Sequence, residues 1–218
     1  MFRQAIAICI LIVSLLVFWH SSPASAQEIA DTIQKQYAQV ESFQTKFRQT
    51  LTNAASGETE ERRGTIWYQK PELIRWQTTH PEEELLVSTG DMVWDFFPEE
   101  KVAYKYSLQG RFDSKTMLKF ISGQVNLEDD FRIKNLGADS NHSDWTKIQL
   151  VPKNPEPSLV MAHIWVEAQT HLIRQVLLED FFGNTNQLTF DHIQLDVDMD
   201  PCLFTFDPPA EVEVLEGN

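Results

Sequence analysis

The chain has 218 residues, of which 42% are apolar and 23% charged. That composition belongs to a packed globular protein of one domain or slightly more and excludes wholesale disorder. Lys and Arg number 18 against 32 Asp and Glu, a net charge of -14, and such a surface repels phosphate backbones and anionic headgroups, which argues against nucleic-acid binding and polybasic membrane docking.

The first element is an export signal. Arg3 gives a short positive start, Ala5 to Trp19 is apolar except for Ser14, and Pro23 precedes Ala24-Ser25-Ala26. This is the layout of a secretory signal peptide with an A-x-A cleavage site before Gln27. The apolar run falls short of the about 20 residues that span a bilayer. Residues 1–26 are thus expected to be cleaved, leaving one domain over 27–218. No Cys follows the cleavage site, so no lipoprotein signal is expected. Cys9 leaves with the signal, and Cys202 remains without an internal disulfide partner. Leu203 and Phe204 follow it, and a plain buried thiol is expected.

Ile29, Ile33, Tyr37 and Val40 form one apolar stripe of an amphipathic helix over 28–40. At Phe43 the period changes to two. Phe43, Thr45, Phe47, Gln49 and Leu51 alternate with polar residues, as in a strand. Turn signals then recur at Pro71, Pro81, Gly90, Pro98 and Gly110, which predicts an antiparallel meander. Met92, Trp94 and Phe96 share one face of its fourth segment; Val102, Tyr104 and Tyr106 share one face of the next. Further strands are expected near 144–151, 159–166, 172–178 and 187–195. Between the two sets, Asp113 to Thr116 opens a short helix containing Met117, Leu118, Phe120 and Ile121, closed by Gly123. A helix this short is unstable alone, so its apolar face must rest on the sheet. The predicted architecture is a long curled antiparallel sheet with an N-terminal helix and a central helical plug. The tryptophans and phenylalanines fill either a solid barrel or the wall of a cavity, and periodicity does not choose between them.

No G-x-S-x-G elbow, H-E-x-x-H pair or phosphate-binding glycine loop occurs. Asp196, Asp198 and Asp200 copy the start of a calcium loop, but Pro201 stands where its glycine belongs, so a solvated acidic strand end is expected and no metal. Asn141-His142-Ser143 is a formal glycosylation sequon. His163, His171 and His192 lack metal-ligand spacing, and the Glu82–Glu84 and Glu99–Glu100 runs read as solvated turns. An exported acidic protein rich in aromatics, with no reactive constellation, reads as a binder with no catalytic residues and no cofactor.

The stretch from Gly64-Thr65-Ile66-Trp67 through Lys70-Pro71 and Trp76 to Leu86-Val87-Ser88-x-Gly90 and Trp94 resembles the periplasmic outer-membrane lipoprotein carrier family, LolA. Val40-Glu41-Ser42-Phe43 with Phe47, Met117-Leu118 with Leu127 to Phe131, and Phe204-Thr205-Phe206-Asp207-Pro208-Pro209 agree in order. The resemblance implies an incomplete antiparallel β-barrel covered by an N-terminal helix and a central helical lid, with an apolar cavity between. It implies a monomeric, non-enzymatic periplasmic carrier. Such a carrier takes acylated lipoproteins from an inner-membrane lipoprotein-releasing ABC transporter to an outer-membrane lipoprotein acceptor. Trp76, Leu86, Trp94, Met117, Leu118, Phe120 and Ile121 are then expected to line the acyl-chain site. The family has Arg before the Pro, where its guanidinium bonds lid carbonyls. Here the position is Lys70, expected to latch the 113–123 segment, though without the planar fork. A sensing domain of the same fold is the rival binder, and a lipid hydrolase the rival enzyme, for which no nucleophile–base pair can be assembled.

Overall fold

The computed structural model describes residues 25–90, 92–107, 117, 119, 120 and 125–217. The N-terminal helix, α1, runs from Ala26–Gln39. Ser25 caps it, its Oγ accepting the Glu28 amide at 3.1 Å. Ala30, Ile33 and Tyr37 are its buried stripe, as the spacing predicts.

Strand β1 (Ser42–Thr52) buries Phe43, Thr45, Phe47 and Gln49 in alternation. The meander follows as β2 (Thr59–Gln69), β3 (Leu73–His80), β4 (Glu84–Ser88), β5 (Met92–Phe97) and β6 (Val102–Ser107), with turns at the predicted prolines and at Gly90. The predicted turn at Gly110 and most of the 113–123 helix, Leu118 and Ile121 included, lie outside the described residues. Met117, Lys119 and Phe120 are helical, and Met117 and Phe120 are buried. A single turn, α2 (Leu127–Asp130), is capped by Asn126 and leads into β7 (Phe131–Ala138). This strand is absent from the sequence prediction. Only Phe131 and Ile133 alternate cleanly before a bulge between Asn135 and Gly137, so the period-2 signal is too short to register. The second meander continues as β8 (Trp145–Pro152), β9 (Met161–Glu167), β10 (Ile173–Glu179) and β11 (Thr185–Leu195). A 3-10 turn (Pro201–Phe204) and β12 (Glu213–Glu216) close the chain.

The twelve strands of the described residues form one sheet in the order β12-β6-β5-β4-β3-β2-β1-β11-β10-β9-β8-β7. Strand β1 joins the two meanders by pairing with both β2 and β11. Every pairing is antiparallel except that of β12 on β6. The sheet is open, with β7 and β12 at its ends, so the incomplete barrel is borne out.

Both faces of the first meander are covered. The inner face carries the main core, in which α1, Met117 and Phe120 pack on Phe47, Ile66, Trp76, Ile164 and Leu188. Tyr37 fixes α1 to the second meander, its hydroxyl oxygen accepting the Ile173 amide at 3.2 Å. On the outer face of the first meander lies the C-terminal segment. Phe206 packs on Trp94 and Phe96 with centroids 5.5 and 5.2 Å apart. Arg75 donates to the Leu203 carbonyl at 3.3 Å, and burial lowers the pKa of its guanidinium. Val87 is fully buried on this side. Of the five tryptophans after the signal, Trp76 belongs to the main core. Alternation puts Trp67, Trp94, Trp145 and Trp165 on the outer face.

Candidate functional site

The register across the first meander defines an inner row. Thr45 pairs with Ile66, Ile66 with Trp76, Trp76 with Leu86, and Leu86 with Asp95. Cross-strand partners point to the same side of a sheet, so Trp76 and Leu86 stand side by side on the inner face. Phe47 packs edge-on against Trp76 at 5.1 Å. It can do so because its cross-strand partner is Gly64, where a Cβ would lie 2.8 Å from the Phe47 ring and 1.8 Å from the Gln77 carbonyl oxygen.

Beside this row is a cavity of about 950 Å³. Among the described residues its apolar part consists of Leu51, Trp76, Leu86, Met117 and Leu178. Its polar part includes Gln49, Arg62, Thr78, Glu84, Asp180 and Asn186. It opens between the β1–β2 loop (Asn53, Glu58) and the β10–β11 turn (Asp180, Asn184). Among the described residues the cavity thus combines an apolar floor with a polar wall. The strands extend past the core toward their hairpin ends, where inner-face positions carry Gln49, Arg62 and Thr78 in place of Phe47, Ile66 and Trp76.

The polar wall is largely self-paired. Gln49 donates to the Asn186 side-chain oxygen at 2.9 Å. Arg62 bridges two carboxylates, Glu84 at 2.7 Å through Nη1 and Glu60 at 2.6 Å through Nε. Asp95 sits next to Glu84 on the same face, and its carboxyl pKa is pushed up to about 7 by burial first and by Glu84 second. The β10–β11 turn is braced by Asp180, whose carboxylate accepts the Phe182 and Asn184 amides and the Asn184 side chain. These bonds draw its pKa below the usual range against the opposing effect of burial. Phe181 and Phe182 project into solvent from this turn, at the edge of the cavity mouth.

Of the predicted site residues, the structure gathers Trp76, Leu86 and Met117 on the cavity. Phe120 is buried behind them, its ring 5.7 Å from Phe131. Leu118 and Ile121 lie outside the described residues. Trp94 is a correction. It pairs with Val87, one position out of step with Leu86, and faces Phe206 on the other side of the sheet. Lys70 bonds an element other than the one predicted. Its Nζ donates to the Ala38 carbonyl at 2.8 Å and to Glu41 at 3.4 Å, so it holds the C-terminal turn of α1. Cys202 is a second correction, being exposed. Phe204 takes the buried position two residues on, and the Asp200 carboxylate raises the pKa of the Cys202 thiol. Asp196 and Asp200 cap the Glu41 and Cys202 amides, so two members of the calcium-like triplet serve the backbone. Sequence reasoning missed Arg62, Glu84 and Asp95, which lie far apart along the chain, Glu84 in a run that reads as a solvated turn and Asp95 within a strand noted only for its aromatic face.

Residues 38–207 match the family "Outer membrane lipoprotein carrier protein LolA". The chain is 30% identical over 174 residues to the outer-membrane lipoprotein carrier protein of Methylococcus capsulatus, covering 80% of this chain and 81% of that one. It is 25% identical to its namesake from Nitrosomonas europaea, covering 79% and 82%. Among solved structures, an uncharacterized conserved protein from Thermus thermophilus superposes with a TM-score of 0.57 at 12% identity, covering 88% of this chain and 99% of that one, and shares the fold. The open sheet around helices, together with the match to a carrier family, makes this a carrier protein rather than an enzyme. This chain belongs to the LolA family of outer-membrane lipoprotein carriers. Its work is binding and transport of lipoprotein, not catalysis.

Proposed function

We propose that the inner-face cavity receives the acyl chains of lipoproteins and that the protein carries them across the periplasm. In this reading an inner-membrane lipoprotein-releasing ABC transporter loads it and an outer-membrane acceptor unloads it. The observation that carries the reading is the cavity over Trp76, Leu86 and Met117. At about 950 Å³ it stands near the top of the about 300–1,000 Å³ range of ligand sites. Burying an acyl chain stabilises by about 0.8 kcal/mol per CH₂ relative to water. A chain of about 16 carbons then amounts to roughly 12 kcal/mol, and free lipoprotein does not cross water unaided. The export signal read in residues 1–26 supports a periplasmic location for residues 27–218 as one domain.

Transfer out of a bilayer is a different balance, because cavity and lipid are similarly apolar. Loading then requires work from the transporter, and unloading requires an acceptor that holds the chains slightly better. The test is mass spectrometry of protein isolated from the periplasm, paired with titration by an acyl-chain probe. Acylated peptides should co-purify, the N-terminus should be Gln27, and lipopeptide should displace the probe. Absence of both co-purifying acyl groups and probe binding would remove the reading.

A further inference from the structure

The inner row Ile66–Trp76–Leu86 is apolar until it reaches Asp95 on β5 and Tyr104 on β6. A carboxyl group therefore stands on the inner face directly beside Leu86, at the edge of the cavity that Leu86 and Glu84 line. Asp95 Oδ1 is buried and has no hydrogen-bond donor. The neighbouring Glu84 offers none while it is ionised, being paired to Arg62 at 2.7 Å. Arg62 is engaged in turn by Glu60 at 2.6 Å. The guanidinium is thus taken up by two carboxylates, and Oδ1 of the third carboxyl, Asp95, is left without a donor. A proton placed between Asp95 and Glu84 satisfies the orphaned oxygen and removes the like-charge contact.

We propose that Asp95 and Glu84 form a proton-sharing pair at the edge of the cavity, where Glu84 lines the wall and Asp95 lies behind it beside Leu86, and that acyl-chain binding takes up a proton at this pair. The inference rests on the acyl-cavity reading above. Its physical basis is desolvation. An acyl chain laid on Trp76 and Leu86 displaces water from the adjacent wall, which disfavours two ionised carboxyls more than one. Linkage makes the effect reciprocal, so protonation tightens acyl binding by the factor by which binding favours protonation. The charged and titratable groups facing Asp95 among the described residues are Glu84 from β4, Arg62 and Glu60 from β2, and Tyr104 from β6; β3 presents Trp76 and Thr78, which do not titrate. Burial, and Glu84 beside it, already hold the Asp95 carboxyl near neutrality, at about 7. Small changes around neutral pH therefore reach it.

The sign follows. Loading raises the Asp95 pKa further, so affinity increases as pH falls through neutrality and levels off once the group is protonated in both states. Each unit of additional shift changes affinity about tenfold between the two plateaus. The experiment titrates the mature protein with an uncharged pyrene-labelled diacylglycerol from pH 8.5 to 5.5, a probe with no titratable group of its own. Wild type should bind more tightly at the acid end. Asp95→Asn should lose the pH dependence and bind throughout as wild type does at low pH. Glu84→Gln, which keeps an acceptor for Arg62, should move the transition to lower pH because the like charge beside Asp95 is gone. Carbon-detected NMR of the Asp95 carboxyl in empty and loaded wild type gives the same answer without a substitution. A flat profile for bound probe in wild type, an Asn variant with the wild-type slope, or an Asp95 titration unchanged by loading would each overturn the inference. No binding at any pH would instead overturn the acyl-cavity reading on which it stands.

Discussion

The Lys70 ammonium donates to the Ala38 carbonyl at 2.8 Å. That bond links the β2–β3 turn to the last turn of α1, where carbonyls lack intrahelical partners and the helix dipole favours a cation. The side chain is 28% exposed, and Glu41 lies at 3.4 Å. Lys70 is thus a clamp between the sheet and the N-terminal helix.

Replacing Lys70 by Met should loosen α1 before it unfolds the sheet. A hydrogen bond from a charged donor contributes about 1.5–3 kcal/mol, and partial exposure places this one at the lower end. Hydrogen exchange should show faster opening of the amides in the C-terminal half of α1 with the β1–β2 amides little changed. Lys70→Arg should leave exchange unchanged or slower, because a guanidinium can reach both Ala38 and Glu41. Equal exchange in all three proteins would show that the contact contributes nothing.

The two faces of the sheet should separate cleanly by mutation. Met117→Glu places a carboxylate at a buried cavity position and should abolish acyl-probe binding, since an unpaired buried charge is costly. Trp94→Ala should leave probe affinity within about twofold of wild type, because Trp94 packs on Phe206 across the sheet from the cavity. Its effect should be faster proteolysis between residues 200 and 212. Loss of probe binding in Trp94→Ala with the fold intact would contradict the face assignment.

Tyr37→Phe deletes the oxygen that accepts the Ile173 amide. A buried amide left without a partner costs about 1–3 kcal/mol, which should appear in denaturant unfolding as a lower midpoint with unchanged slope. Burial pushes the Tyr37 hydroxyl up to about 12, against smaller lowering effects of the Ile173 amide and Arg174. Its folded pKa lies above the unfolded value of 10.0, so its contribution is present at neutral pH and is lost as pH rises through about 12. An alkaline absorbance titration should show a tyrosine ionisation near pH 12 that is missing from Tyr37→Phe.

Gly64→Ala tests the close approach of β2 and β3. The new methyl would fall 1.8 Å from the Gln77 carbonyl oxygen, which is backbone and cannot swing aside. Overpacking of this kind costs roughly 1–3 kcal/mol or more. Thermal unfolding should show a lowered midpoint, together with altered near-ultraviolet signal from the Phe47–Trp76 pair. A variant as stable as wild type would mean that the strands separate there at no cost.

The alternation of Phe43, Thr45, Phe47 and Gln49, the stripe of α1 and the proline-marked turns were legible in the sequence because they depend on local period and backbone chemistry. So was the family, carried by short motifs in a fixed order. Which of two alternating sets faces the helices is a different matter when both faces are covered. Met92, Trp94 and Phe96 do share a face, but Phe206 from the far end of the chain covers Trp94 and Phe96 on the outside. The same ambiguity misplaced Cys202, whose neighbour Phe204 took the buried position. Lys70 was singled out by sequence, yet its partner was settled by where α1 ends above the β2–β3 turn. Arg62, Glu84 and Asp95 meet only because β2, β4 and β5 lie close together in one sheet. Local period fixes which side chains travel together along a strand. Only the pairing of strands and the packing of both faces decide what each set meets, because those contacts are made between residues that the chain itself keeps far apart.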